Sequence, residues 1–155
     1  MSEEICFPKK NMASGALIFD QEDKLLVVKP TYKNYWHLPG GVIEREESPY
    51  CGCIREVLEE TNLSIFPEKL LAVNYTGIKE EGIDALVFVF KCGSIKNKLK
   101  KTIRIPKDEI ENFEFINKED IYKYLDERMA KIVGECFKSM DLNETIYLDN
   151  MKRIL

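Results

Sequence analysis

Residues 38–65 read LPGGVIEREESPYCGCIREVLEETNLSI, a stretch with six glutamates, two arginines and no lysine. Ser48 followed by Pro49 is a helix-start signal, serine as N-cap and proline at the first helical position. Asn62 stands where a left-handed C-terminal cap would fall, a conformation that asparagine tolerates. At about 100° per residue, Tyr50, Cys51, Ile54, Val57, Leu58 and Thr61 are expected on a core side. Glu56, Glu59 and Glu60 are expected on the opposite side, related as i, i+3 and i+4 so that their carboxylates are neighbours. Four residues after Glu59 and Glu60 stand Leu63 and Ser64, so no cation relieves them from within the helix. Hard oxygen donors on one face suit Mg²⁺ or Mn²⁺, which keeps water for a phosphate substrate. A solvated acidic surface is the alternative that helix geometry alone leaves open.

Outward from the helix, short apolar runs dominate. ASGALIF and KLLVVK, joined by the polar DQED, read as a hairpin. PTYKNY reads as a loop, and WHLPGGVI as a segment broken by Pro39 and two glycines. KLLAVNYTG and DALVFVFKC read as strands with IKEEG as the turn between them. KTIRIP reads as a weaker strand, FEFI as another, and the basic KCGSIKNKLKK as an exposed loop. Helical periodicity returns in KEDIYKYL and in ERMAKIVGECFKSM, where Met129, Ile132, Val133 and Cys136 follow i, i+3, i+4, i+7. Strands, one helix, more strands and a terminal helix indicate a mixed sheet covered by helices.

Composition sets the bounds. At 155 residues the chain reads as one domain over residues 1–155, able to bury a core without staples. A net charge of −4 argues against a general nucleic-acid binder. Five cysteines without a C-x-x-C pair fit a reducing cytosol, and Cys51 and Cys53 would face different directions on a helix. MSEEICFPKK is not a signal peptide, and no run approaches the roughly 20 apolar residues of a membrane span. A soluble cytoplasmic protein is the expectation.

From Gly41 to Leu63 the chain resembles the Nudix box, G-x5-E-x7-R-E-U-x-E-E-x-G-U with U aliphatic. Gly41, Glu47, Arg55, Glu56, Val57, Glu59, Glu60 and Leu63 match in register. Asn62 replaces the last glycine, and Glu46 stands where many members have a second loop glycine. Matches at fixed spacing over 23 residues are far more specific than a lone glycine motif. The resemblance implies a Nudix-like α/β/α sandwich with a mixed β-sheet, and hydrolysis of a nucleoside diphosphate linked to another moiety with Mg²⁺ or Mn²⁺. It implies metal binding by Glu56, Glu59, Glu60 and the carbonyl of Gly40, with Glu47 positioning metal or water. Arg55 would orient the glutamates by ion pairing, and Gly41 would lie against the substrate. Which carboxylate is the base stays open.

Beyond the box, Glu114 resembles an acid that assists metal or water in some members, with Glu109 and Glu111 as rivals and a solvent-facing strand edge as the plain alternative. Tyr32 and Tyr35 are candidates for stacking a base, whereas Trp36 and His37, the single histidine, read as structural. Gly52 weakens the helix, which would suit close approach of a backbone or substrate as well as simple tolerance. The expected substrate is a compact nucleotide, a nucleoside triphosphate or a modified one. Nucleotide sugars, ADP-ribose, or a non-catalytic nucleotide-binding regulator are the alternatives. No nucleic acid or membrane partner is expected, and a homodimer stays open.

Overall fold

β1 (Asn11–Phe19) is the strand on which everything else is aligned. Its period of two is legible in the packing: Ala16 and Ile18 join one buried cluster and Leu17 and Phe19 another, all four at 1% exposure or less. A strand buried on both faces needs layers on both sides, and the chain supplies them. In the computed structural model, which describes residues 7–78, 82 and 84–155, the sheet runs β6-β2-β1-β5-β4-β7-β8 with β3 also paired to β1. The strands are β2 (Leu25–Pro30), β3 (Gly40–Val42), β4 (Lys69–Thr76), β5 (Ala85–Ser94), β6 (Ile110–Ile116), β7 (Ile146–Asp149) and β8 (Lys152–Arg153). β1 and β5 are parallel, as are β4 and β7, and the other pairings are antiparallel. The sheet is therefore mixed.

Helix α1 (Pro49–Thr61) covers one face through Cys53 and Val57, which pack with Ala16, Ile18, Leu26 and Leu63. The short α2 (Asn97–Lys100) and α3 (Ile121–Tyr124) connect strands, and α4 (Glu127–Leu142) covers the other face. Asp126 caps α4 by accepting the Met129 amide at 2.7 Å. Ile132, Val133 and Cys136 are buried against Leu17, Leu71, Val89 and Leu148, as the helical spacing predicts, with Met129 half-buried and Ala130 also buried. The result is an α/β/α sandwich. Among the described residues no helix is long and apolar enough to cross a membrane.

The feature that builds the site is a split between β1 and β2. They pair at Phe19 and Leu25, then separate, and the chain from Trp36 to Val42 fills the gap. His37 and Val28 exchange two backbone hydrogen bonds of 2.9 Å, Ala16 N donates to Pro39 O at 2.8 Å, and Gly40–Val42 pair with Ala13, Ser14 and Gly15. Gly40 lies at φ +152°, and a Cβ there would run into the carbonyl oxygen of Ser14. Only glycine lets this strand lie so close to β1.

Three sequence expectations change. KTIRIP is not a strand: Arg104 N donates to Thr61 O at 3.0 Å and Asn62 Nδ2 to Thr102 O at 3.3 Å. Those bonds hold the segment along the C-terminal end of α1, and Ile103 is buried there. The basic run is not a loop either, because Lys91–Ser94 complete β5 and Asn97–Lys100 form α2. Lys100 bonds the buried Asp20 at 2.8 Å and lies 4.1 Å from the Phe115 ring centroid, so packing and an ion pair order a stretch whose charge suggested exposure. Finally, β7 and β8 form from TIYLDNMKR, where no strand was expected although Ile146 and Leu148 alternate with Tyr147 and Asp149. The IKEEG turn lies largely outside the described residues.

Glu46 takes φ +63°, a left-handed conformation that costs a residue with a Cβ about 1–2 kcal/mol. Glu46→Gly is expected to stabilise the fold by up to about 1 kcal/mol, the entropy of glycine in the unfolded chain offsetting part of the relief. A urea midpoint at or below that of the wild type would contradict this reading of the turn.

Candidate active site

α1 begins and ends as its sequence indicates. Ser48 Oγ accepts the Cys51 amide at 3.1 Å, and Asn62 takes φ +62° with its N–H on Leu58 O at 2.8 Å. The two faces differ from the simple wheel. Gly52, Cys53, Val57, Glu60 and Thr61 are buried, whereas Tyr50, Cys51 and Leu58 are exposed. α1 is rotated so that Glu60 turns inward at 8% exposure, Glu56 lies half-buried, and Glu59 remains open to solvent. The helix wheel treats all positions of one face alike; contact with β3 does not. Gly52 serves close approach, since a Cβ there would meet Ile43 Cδ1 at 2.5 Å and Glu47 Oε2 at 3.0 Å.

Arg55 joins the acidic side chains. Its Nε and Nη2 donate to the two oxygens of Glu47 at 2.7 and 2.9 Å, a forked pair. Nη1 donates to Glu56 Oε1 at 2.8 Å and Glu59 Oε2 at 3.1 Å, and Nη2 also reaches Val42 O at 3.1 Å. Glu47 further accepts the Glu44 amide at 3.0 Å. These bonds, Arg55 first, hold the Glu47 carboxyl down at about 2, so it is ionised at any ordinary pH. The guanidinium is pushed up by the same contacts.

Glu56 and Glu60 are pushed the other way. Burial raises both, opposed at Glu56 by Arg55 and at Glu60 by the Gly40 amide, which donates to its Oε2 at 3.0 Å. Glu60 reaches about 8, with the charges of Glu56, Glu109 and Glu59 adding to the rise. The Glu56 carboxyl sits directly on Gly41, where a Cβ would lie 2.6 Å from its Cδ. The cluster thus combines one carboxylate that Arg55 grips with two bonds, Glu47, with two whose burial against a glycine strand disfavours their charged form, Glu56 sharing one Arg55 bond and Glu60 holding the Gly40 amide.

A hard divalent cation fits this donor set. Burial raises both carboxyl pKa values, a cost that a bound cation would relieve, and the missing side chain at Gly41 is what leaves room for the Glu56 carboxyl. Among the described residues no group of three or more His, Cys, Asp or Glu side chains is already arranged to hold a metal ion. Arg55 and the Gly40 amide each hold part of the set. The chemistry suits an ion that keeps several waters, as Mg²⁺ does.

The remaining candidates divide. Glu114 accepts the Tyr124 hydroxyl at 2.8 Å, and Glu111 pairs with Lys29 at 3.5 Å. Of the three late acids it is the exposed Glu109 whose charge acts on Glu60. Tyr32 is 73% exposed, and Lys33 lies 5.5 and 5.4 Å from the rings of Tyr32 and Tyr35. Trp36 packs edge-on against Tyr124 at 5.4 Å beside the α4-side core. His37 Nδ1 is 2.5 Å from Leu38 O, and burial lowers its pKa, as fits a structural histidine. Surface grooves run along α4 and the β7–β8 turn, lined by Lys131, Asp149, Met151 and Lys152, and not by the carboxylates. The backbone contributions, the Gly40 amide and the Val42 carbonyl, have no side-chain signature and were not readable from sequence.

The sequence pattern of the NUDIX domain matches residues 9–136, most of the chain and all of the cluster just described. The chain belongs to the Nudix family. A MutT-like protein of Streptomyces ambofaciens is 33% identical over 81 residues, 52% of this chain and 51% of that protein. The chain thus matches about half the length of that relative and less of the other curated ones. Among solved structures, a UDP-X diphosphatase superposes with a TM-score of 0.75 at 24% identity over 93% of this chain and 69% of that one. A NUDIX hydrolase from Nitrosomonas europaea gives 0.67 at 25% identity, over 88% and 92%. Within this Nudix chain, Asn62 and Glu46 supply the left-handed turns at the two positions where the box commonly has glycine.

Proposed function

We propose that this Nudix protein is a Mg²⁺-dependent hydrolase, with Mn²⁺ as a substitute, that cleaves the pyrophosphate linkage of a nucleoside diphosphate derivative. A nucleoside triphosphate or modified nucleotide is the preferred substrate. The observation that carries this reading is the pair of partly or fully buried carboxylates, Glu56 and Glu60, held against Gly40 and Gly41 by Arg55 and a backbone amide. The cation, when bound, supplies positive charge to the phosphates and acidifies water. Glu56, Glu59 and Glu60 would hold it, together with the Gly40 carbonyl. Glu47, locked by two Arg55 bonds and fully ionised, is a poor proton acceptor and serves to fix Arg55. Glu56, half-buried with a raised pKa, is better matched to take a proton from water near neutral pH. Tyr32, exposed, and Tyr35, half-buried, both on the loop that precedes the glycine strand, are offered for base stacking. The free described cysteines accord with a cytosolic setting.

The test is a panel of nucleoside triphosphates, ADP-ribose, nucleotide sugars and dinucleoside polyphosphates with Mg²⁺, read as released phosphate or pyrophosphate. Rapid cleavage of ADP-ribose with triphosphates untouched would overturn the substrate and leave the hydrolase. No turnover of any member would favour a binding or regulatory role. Gly41→Ala, whose Cβ would displace the Glu56 carboxyl, is expected to cut turnover at least about 10-fold, as loss of precise positioning does. Wild-type turnover in this variant would show that Glu56 need not occupy its observed place.

A further inference from the structure

Ser14 is 4% exposed, and its Oγ has no hydrogen-bond partner among the described residues. Asp84 Oδ1 shares that condition, but its carboxylate is compensated through the other oxygen by Lys10. A buried hydroxyl without a partner is costly, and its direction says what it faces. Ala16 and Ile18, two and four residues on, pack on the α1 side, so the strand period puts Ser14 on that side too. Its neighbour on β5, Phe88, packs on the same side. Its partner on β3 is Gly41. Directly opposed residues share a face with Cβ positions about 5 Å apart, and the Glu56 carboxyl oxygens lie 2.7 and 2.8 Å from where a Gly41 Cβ would stand. Ser14 and the Glu56 carboxylate therefore flank the Gly41 position on the same face of the sheet, close enough for a single water to join them, with Glu60 nearby on the Gly40 amide.

We propose that Ser14 is a positioning residue that holds a water molecule beneath the Glu56 and Glu60 carboxylates and so sets their geometry for a divalent cation. The hydroxyl donates to the water oxygen, and the water donates one hydrogen to each carboxylate, which supplies the partners a buried water needs. The inference rests on the proposed metal dependence. No sequence motif marks Ser14; it is a polar residue within an apolar strand.

Mn²⁺ titration of the wild type, Ser14→Ala and Ser14→Thr, followed by electron paramagnetic resonance, separates the two readings. The alanine variant is expected to bind Mn²⁺ about 10-fold more weakly, the range for loss of a group that orients metal ligands. Its metal-free melting temperature should be unchanged or higher, since no protein hydrogen bond is lost. Threonine, which keeps the hydroxyl, should restore affinity. Wild-type affinity in Ser14→Ala, or a loss of affinity that accompanies a lower metal-free melting temperature, would overturn the role of Ser14 and leave the metal site standing. A wild-type protein that binds no Mn²⁺ would overturn the proposed metal dependence, and the inference with it.

Discussion

Glu56→Gln is expected to lower kcat by at least about 10²-fold, the range for losing a general base, with little change in fold. The substitution keeps the side-chain shape and can still accept from Arg55, now as a neutral amide. It removes the carboxylate that faces Gly41, and with it the proposed metal ligand and proton acceptor. Steady-state turnover with Mg²⁺ on the best substrate of the panel measures the effect, and a thermal melt checks the fold. Glu114→Gln is the matched comparison: its carboxylate holds the Tyr124 hydroxyl and is expected to cost far less. Wild-type rates in purified Glu56→Gln would remove Glu56 from the mechanism.

The metal-free protein is expected to lose stability as pH rises from about 4.5 to about 8, because of Glu60. Its folded-state carboxyl is pushed up to about 8 from an ordinary 4.5, chiefly by burial. The folded form therefore binds the proton more tightly than the unfolded chain does. That contribution is fully present below the unfolded pKa and is lost as pH rises through the folded one, on the order of a few kcal/mol. Glu47 acts with the opposite sign in a separate window: its lowered pKa stabilises above about 4.5 and that gain disappears as pH falls toward about 2. Glu60→Gln, neutral at every pH, should flatten the slope from 4.5 to 8 and raise the metal-free melting temperature at pH 8. In the wild type Mg²⁺ should raise the melting temperature more at pH 8 than at pH 6, because at pH 6 it competes with the Glu60 proton. Superimposable pH profiles for wild type and Glu60→Gln would show that Glu60 does not titrate in this range.

Helix α1 was legible because its signals are local. Ser48, Pro49 and Asn62 set where α1 starts and stops through neighbouring backbone, and Arg55, Glu56, Glu59 and Glu60 are spaced by the helix itself. Strands β1, β2, β4 and β5 were legible for the same reason, since alternation or apolar runs within each segment report burial directly. KTIRIP misled because Arg104 and Thr102 spend their backbone groups on the end of α1, 40 residues away in the case of Asn62 and Thr102. The basic run misled because Lys100 has a buried partner, Asp20, that lies 80 residues earlier. β7 carries a short alternation that is easily passed over in four residues, and β8, two residues at the sheet edge, takes its stability from its pairing with β7.

The amino-acid sequence by itself determined the donor set of this Nudix protein, its order along one helix and the arginine that gathers it, since covalent spacing and helix periodicity need nothing else. The tertiary structure alone decided how unequal those glutamates are. Packing α1 onto a strand wedged between β1 and β2 turns Glu60 inward to the Gly40 amide, seats Glu56 on Gly41, and leaves Glu59 in solvent. Burial then pushes the carboxyl pKa values of Glu56 and Glu60 up, while the forked Arg55 pair holds that of Glu47 down. Such differences arise from desolvation and from charges brought together across the chain, and these exist only once the fold has closed.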